Sequence, residues 1–190
     1  MKPHTLLPIL LVLSALRITA EELVFREPFT LTLGMDKEHY YEQKFGKLPY
    51  VAEKCVFLVK GDSFGIKLMI TDGKINGINY QPDSSKADVW FEFEQKKLGE
   101  DLVMMLTIKN KTESRIYMDA VMTIPGKKGV RKTTILPIDA GLTNCENWPH
   151  PIVQLVLENL RLKETTEPNQ SPEPTITAGT SAAAHPPRQP

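Results

Sequence analysis

The segment Ala87–Glu94, ADVWFEFE, decides the fold class of this chain. Two sets of side chains alternate along it: Val89, Phe91 and Phe93 in one set, and Trp90, Glu92 and Glu94 in the other. Successive side chains of a β-strand point to opposite faces of the sheet, so this pattern predicts a strand with one buried and one wet face. Antiparallel sheets with a core on one side provide that setting. The segment therefore predicts a mostly β protein.

Six other segments show the same kind of alternation or a strand-forming composition. They are Leu23–Leu33, Lys54–Lys60, Phe64–Thr71, Asp101–Lys109, Ser114–Ile124 and Val130–Ile138. Turn-forming residues, such as those of Gly61–Ser63, separate neighbouring segments. Seven short strands with frequent turns predict an antiparallel β-sandwich, and an immunoglobulin-like arrangement is its expected form.

Two segments predict helices beside the sheets. After Pro149 and Pro151, the apolar residues follow a helical stripe: Ile152, Val153, Val156, Leu157 and Leu160. This spacing predicts a C-terminal helix that covers an open end of the sandwich, with a final strand as the competing interpretation. The segment near residues 36–46, which carries Tyr40 and Tyr41, predicts a second, short helix.

The two ends of the chain predict segments outside the folded domain. Residues 1–20 combine a basic start with an apolar run, Leu6–Leu16, which is shorter than the roughly 20 residues that a bilayer requires. This pattern is typical of a cleavable signal peptide, with cleavage expected after Ala20. Residues 164–190 are rich in Pro, Thr, Ser and Ala, and they predict a disordered tail because they hold few apolar side chains to bury. The remaining residues, 21–163, predict one domain.

The cysteine content agrees with export to a periplasmic or secreted location. The predicted domain contains two cysteines, Cys55 and Cys145, and an isolated pair in an oxidising compartment predicts a disulfide. Closing a loop of about ninety residues would stabilise the fold by roughly 4 to 5 kcal/mol through the entropy of the unfolded chain. We therefore expect the bridge to tie an early strand to the C-terminal region.

Charge and histidine content argue against several kinds of partner. Acidic and basic residues balance, with 23 of each, which argues against nucleic acid or an anionic membrane. One basic cluster is interpreted as a solvated hairpin turn: Lys127, Lys128, Arg131 and Lys132. The domain's histidines, His39 and His150, are not spaced with the cysteines as zinc ligands are, so neither a metal nor a cofactor is predicted. No second apolar run is long enough to span a membrane.

Motifs for chemistry are weak in this sequence. The residues GDS at Gly61–Ser63 resemble the nucleophile block of some esterases and serine proteases, but they join two strands and no histidine base accompanies them. The residues NKT at Asn110–Thr112 form a glycosylation acceptor in a eukaryotic source and a turn in a bacterial one. We therefore predict that the protein is not an enzyme.

Four aromatic residues are the predicted anchors for a partner: Trp90, Trp148, Tyr40 and Tyr41. Trp90 falls opposite the apolar face of its strand, and Trp148 lies in the proline-restrained segment Asn147–Pro151. Aromatic side chains of this kind supply a large contact area at a low entropic cost. Burial beneath a second layer of structure is the alternative for each of them.

These observations predict an exported, non-enzymatic domain that binds another protein of the envelope or extracellular space. An inhibitor or an immunity-type protein would need a rigid surface, whereas an assembly or chaperone-like role would use an exposed strand edge. Two alternatives stay open. A small hydrolase would use Ser63, Asp72 or the acidic residues near Glu100, and a carrier of a small apolar ligand is suggested by four methionines: Met104, Met105, Met118 and Met122.

Overall fold

A computed structural model describes residues 23–162 of the chain. The predicted signal peptide at 1–20 and the predicted tail at 164–190 lie outside the described residues. The strands are β1 Phe25–Arg26, β2 Phe29–Gly34, β3 Tyr40–Phe45, β4 Leu48–Pro49, β5 Val51–Ala52, β6 Cys55–Leu58, β7 Asp62–Thr71, β8 Lys74–Gln81, β9 Val89–Leu98, β10 Asp101–Asn110, β11 Ile116–Thr123, β12 Arg131–Thr134, β13 Thr143–Trp148 and β14 Gln154–Leu162.

Ten of these strands form two five-stranded antiparallel sheets. The first sheet has the order β13-β10-β9-β7-β8, and the second has the order β12-β11-β14-β6-β5. Two small pairs, β1 with β4 and β2 with β3, accompany them. The prediction of a mostly β domain made of antiparallel sheets is confirmed, and the arrangement is consistent with a β-sandwich.

The inward faces of the two sheets share one hydrophobic core. Phe91 and Phe93 of β9 contribute to it from the first sheet, and Leu155 and Leu157 of β14 from the second, each fully buried. Burying a side chain of this size stabilises a fold by about 1.5–3 kcal/mol. The alternation read in Ala87–Glu94 therefore corresponds to the observed inward and outward faces of β9.

The predicted C-terminal helix is wrong, because its residues form strand β14. This strand lies between β11 and β6, so its backbone groups bond on both sides, and a helix there would leave one edge of each neighbour unpaired. A β-bulge explains the last part of the misleading stripe, the spacing of Leu157 and Leu160. At Asn159, which has φ 53°, the register with β11 shifts by one residue, so Leu157 and Leu160 both turn inward.

The predicted short helix near residues 36–46 is also wrong, because Tyr40–Phe45 is strand β3 of a hairpin with β2. Exposure alternates along this strand, which the sequence YYEQKF hides because its tyrosines stand side by side. Phe45 stacks on Phe29 of β2 with ring centroids 5.2 Å apart. The cross-strand aromatic pair stabilises the hairpin where the helix was expected.

The predicted disulfide is absent, because Cys55 and Cys145 are both free thiols. Cys145 lies on β13, which is one edge of the first sheet. Cys55 lies on β6 of the second sheet, beside edge strand β5. Strand β5 contacts β8, which is the other edge of the first sheet. The width of the sandwich therefore separates the two cysteines, whereas a disulfide needs Cα atoms less than about 7 Å apart. Burial raises the pKa of the Cys55 thiol, and Glu158 and Glu53 add to the shift.

Candidate functional site

Trp148, one of the four predicted anchors, is a core residue. Its side chain is 7% exposed, its indole N–H donates to Thr133 Oγ1 at 2.9 Å, and its ring meets Phe93 edge to face at 6.4 Å. These contacts join β13 of one sheet to β12 of the other. A partner could reach Trp148 only by displacing these contacts, so the surface on offer here is that of Pro149 and His150, which follow it.

Trp90 lies half-buried on the outer face of the first sheet. Its ring covers Gly65, where an added Cβ would come within 2.9 Å of the indole. The indole N–H donates to Glu92 Oε1 at 3.2 Å, and the Lys111 ammonium group lies 6.0 Å from the ring centroid. Trp90 is thus an aromatic side chain on a polar face, with charged neighbours already in contact with it.

Tyr40 and Tyr41 are neighbours in sequence but point to opposite faces of β3. Tyr41 is half-buried against the core, and its hydroxyl group donates to Gln43 Oε1 at 2.7 Å. Tyr40 is 68% exposed. Of the four predicted anchors, Tyr40 therefore offers the largest fraction of its surface to a partner.

Tyr40 lines a groove of about 650 Å³ between the β2–β3 turn and the β9–β10 turn. Its apolar lining consists of Met35, Tyr40, Leu102 and Pro149. Charged side chains of both signs surround these residues, and Lys37 pairs with Glu100 across the groove at 2.5 Å. The structure thus brings Tyr40 close to the proline that follows Trp148, which the sequence could not predict.

The β2–β3 hairpin is fixed to the sandwich by a small number of specific contacts. Leu31 and Leu33 of β2 are buried in the core. The Gln95 side chain bonds to both backbone groups of Gly34, accepting from its N–H and donating to its C=O, each at 2.8 Å. The Lys60 ammonium group donates to the Thr32 carbonyl oxygen at 2.9 Å. The hairpin therefore has a defined position relative to the groove.

These contacts also define which edge of the hairpin is open. The backbone groups of Thr32 and Gly34 face the sandwich, so by antiparallel alternation the residues between them bond to β3. On β3, the N–H and C=O groups of Tyr40, Glu42 and Lys44 then face away from β2. Within residues 23–162, no strand pairs with this outer edge of β3.

The β2–β3 turn is organised by Asp36. Its carboxylate accepts backbone bonds from Glu38 and His39, each at 2.8 Å, and also contacts His39 Nδ1. These bonds, with that from Glu38 the largest cause, lower the pKa of Asp36 from 3.8 to about 2. The carboxylate is therefore charged at neutral pH and holds the turn next to the groove.

The described residues around Ser63 do not form the arrangement of nucleophile and base that the hydrolase alternative needs. The neighbouring Asp62 is bound by Arg26, whose Nη2 and Nε donate to its two carboxylate oxygens at 2.6 and 3.0 Å. The Arg26 guanidinium group also stacks on the Tyr50 ring at 4.0 Å. Neither described histidine forms a hydrogen bond with Ser63, which points outward from β7. The GDS motif thus supplies a structural ion pair.

Another concavity, of about 480 Å³, lies on the outer face of the second sheet and contains two carboxylates, Asp119 and Glu158, opposite each other. Asp119 accepts hydrogen bonds from Asn159 at 3.0 Å and from Arg161 at 3.3 Å. These bonds, chiefly the one from Asn159, lower the pKa of Asp119. A general acid of a hydrolase needs a raised pKa, so Asp119 has the opposite character.

Asn110, the residue of the glycosylation motif, is fully buried. Its amide nitrogen donates to three backbone carbonyl groups, those of Ser114, Ile138 and Asp139, and its amide oxygen accepts from Thr112. A glycan would have to occupy the nitrogen that makes these bonds. The NKT motif is therefore a structural corner of the folded domain.

Three further findings bear on the other candidate functions. No group of three or more metal-ligating side chains occurs among residues 23–162. The same residues contain no helix of the length and apolar character required to cross a bilayer. Met104, Met118 and Met122 are buried in the shared core, which is the usual place for methionine in a sandwich.

Comparisons with protein-family models, with curated proteins and with solved structures find no match to this chain. The functional argument therefore rests on the groove and on the strand edge beside it. Sequence reasoning missed this edge because it interpreted residues 36–46 as a helix. The alternation of Tyr41, Gln43 and Phe45 with charged residues was the signal that could have revealed it.

Proposed function

We propose that this chain is an exported, non-enzymatic domain that binds another protein by adding a strand to the outer edge of β3. The observation that carries the proposal is the combination of an open strand edge, an exposed Tyr40 and an adjoining groove on one anchored hairpin. In strand addition, main-chain hydrogen bonds give affinity, and alternate side chains give specificity.

The open edge of β3 supplies the main-chain part of this recognition. A strand edge with unpaired N–H and C=O groups is a template for pairing, and proteins usually cover it or shorten it. β3 is six residues long and is held by β2 on one side. An extended segment of a partner would bond to Tyr40, Glu42 and Lys44 without disturbing the bonds to β2.

Tyr40 and the groove supply the side-chain part. A partner strand along β3 would bring one of its side chains next to Tyr40 and direct others toward Met35 and Leu102. The charges near the groove have both signs, so the partner segment should be mixed or neutral in charge. Use of a strand edge favours an assembly or chaperone-like role over an inhibitor or immunity-type role.

Two parts of this proposal concern location and topology. Export to the periplasm or the extracellular space rests on residues 1–20, which lie outside the described residues. The immunoglobulin-like arrangement stays a prediction, since two antiparallel sheets around one core fit several sandwich topologies.

Affinity capture with the full-length chain, from the envelope or secretome of its own host, tests the proposal. Tyr40→Ala removes the exposed ring, and Glu42→Pro removes an outward N–H while leaving the bonds to β2 in place. Each variant should weaken capture of the partner by about tenfold or more, as expected for a central interface residue. Both should keep the unfolding midpoint of the wild type, because neither side chain is buried.

Trp90→Ala is the matched control, since it truncates an aromatic residue that is partly exposed on a different face. It should leave capture unchanged. As an independent measurement, the amides of Tyr40, Glu42 and Lys44 should become protected from hydrogen exchange in the complex. If both β3 variants still capture the partner and Trp90→Ala does not, the interface lies on the outer face of the first sheet instead.

A further inference from the structure

A second groove, of about 580 Å³, lies where the β11–β12 hairpin meets the segment after β13. Three cationic side chains, Lys127, Arg131 and Lys132, line it together with His150. Its floor is apolar and consists of Met122 and Ile124. The sequence alone suggested a solvated turn here, but the structure adds a histidine and a concave shape.

Two of the three cations of this groove, Lys127 and Arg131, are not neutralised by the described part of the fold. Among residues 23–162, neither Lys127 nor Arg131 forms an ion pair or a side-chain hydrogen bond, and no acidic side chain lines the groove. Lys132 has a neighbouring carboxylate, that of Asp119, whose pKa it helps to lower. The positive charge is thus concentrated on the side formed by Lys127 and Arg131, next to the His150 ring.

His150 provides a second and independent observation. Its Nε2 atom is buried and has no hydrogen-bond partner in the described part of the chain. A buried polar atom without a partner destabilises a fold, so such atoms are uncommon, and an oxygen of a bound ligand would satisfy this one. The side-chain nitrogen of Gln154, at the start of β14 and paired in register with Thr123, is also buried without a partner.

The position of His150 is fixed by the core. Trp148 is held by Thr133 and Phe93, and Pro149 and Pro151 on either side of His150 restrict the backbone between them. The imidazole ring is therefore presented to the hairpin by a rigid segment. This preorganisation lowers the entropic cost of binding a ligand.

We propose that this groove is a binding site for a phosphate group, carried either by a soluble molecule or by a lipid headgroup. The Arg131 guanidinium group matches two phosphate oxygens, and Lys127 supplies a point charge. Because His150 Nε2 is buried, the imidazole ring must rotate about its side-chain bonds, with the backbone fixed, to donate to a third oxygen. The apolar floor accommodates the organic part of the ligand. This site is separate from the β3 edge, and it does not depend on the protein partner proposed above.

Titration of the full-length chain with inorganic phosphate, followed by NMR, tests the site. Resonances of Arg131 and His150 should shift, whereas sodium chloride at equal ionic strength should not shift them. Arg131→Gln and His150→Ala should each weaken binding by about tenfold, the loss expected for one charge-assisted hydrogen bond. A sedimentation arm compares vesicles of phosphatidylglycerol with vesicles of phosphatidylcholine.

Lys128→Gln is the matched control, because Lys128 belongs to the same turn but does not line the groove. It should change binding by less than about twofold, as expected for an exposed charge. Binding to phosphate that needs Arg131 and His150 supports a soluble ligand, and binding to phosphatidylglycerol vesicles that needs them supports a headgroup. Binding in neither arm, or equal losses in Lys128→Gln and Arg131→Gln, overturns the proposal.

Discussion

Two cationic regions of this molecule differ in how the fold treats their charge. Arg26 is 7% exposed, and it donates to both oxygens of Asp62 and to the carbonyl groups of Pro49 and Phe57. In the groove of the β11–β12 hairpin, Arg131 and Lys127 are exposed and have no such partners within residues 23–162. The hydrogen-bond donors of Arg26 are thus used within the fold, whereas those of Arg131 can bind a ligand.

This difference separates structural from functional charge. A buried ion pair is retained when its donors and acceptors are all satisfied, and removing one member leaves the other uncompensated. An exposed cation contributes little to stability, so its position beside a buried, unpartnered histidine nitrogen needs another explanation. Substitution of Arg26 should therefore change stability and leave phosphate binding unchanged, whereas substitution of Arg131 should do the reverse.

The largest effect is expected from Arg26→Met. This change leaves the Asp62 carboxylate without its counter-ion, although the Val59 N–H still donates to it, and it removes a donor from two carbonyl groups. It should lower the free energy of unfolding by about 3–5 kcal/mol. Chemical denaturation of the full-length chain measures the effect. Because Arg26 is remote from the groove of the β11–β12 hairpin, phosphate binding should be unchanged under conditions where the variant stays folded.

The same substitution at Arg131 sharpens the comparison. Arg131→Met should change the free energy of unfolding by less than about 0.5 kcal/mol, the usual range for an exposed position. It should nevertheless weaken phosphate binding by about tenfold, as expected for Arg131→Gln, so that the NMR shifts need a correspondingly higher phosphate concentration. Similar losses of stability in the two variants would contradict the division between structural and functional charge.

The fold was predictable where one rule governed a segment. β9 and β11 combine period-two alternation with clear turns, and β10 has the apolar character of a central strand; the observed strands agree with these predictions. β14 was missed because a bulge at Asn159 produces the spacing of a helix, and its true state depends on β11 and β6, which are distant in sequence. The cysteine pairing failed for a related reason, since sequence separation does not reveal which strands become neighbours.

The candidate site was predictable only in composition. Aromatic type identified Tyr40 and Trp148, but exposure depends on what packs above each ring, and that is set by the partner sheet. The basic cluster around Arg131 was visible, whereas its association with His150 requires the path of the chain after β13. Tertiary contacts, and not the local sequence pattern, therefore decide which side chains remain exposed or without a hydrogen-bond partner.

An intermediate loss of stability is expected from Asn110→Ala. This variant tests, with a neutral group, whether a buried side chain that bonds within the fold is structural. The change leaves the buried carbonyl groups of Ser114, Ile138 and Asp139 without this donor, at a cost of about 1–3 kcal/mol. Thermal unfolding compared with Asn147→Ala, which changes an exposed asparagine on β13, measures it. Equal stabilities of the two variants would show that the buried amide is dispensable.

The smallest effect on stability is expected for Asp36, whose carboxylate is exposed and yet accepts hydrogen bonds from the β2–β3 turn. Its pKa of about 2 lies below the usual 3.8, so its hold on the β2–β3 turn is complete above about pH 4 and is lost as the pH falls toward 2. A carboxyl-carbon NMR titration should give a midpoint near 2, and amide exchange at Glu38 should accelerate over the same interval. Asp36→Asn should remove that pH dependence while leaving global unfolding nearly unchanged, because an amide oxygen still accepts from Glu38. A midpoint near 3.8 would mean that the bonds from Glu38 and His39 do not stabilise the charged carboxylate, and hence that Asp36 does not hold the β2–β3 turn beside Tyr40.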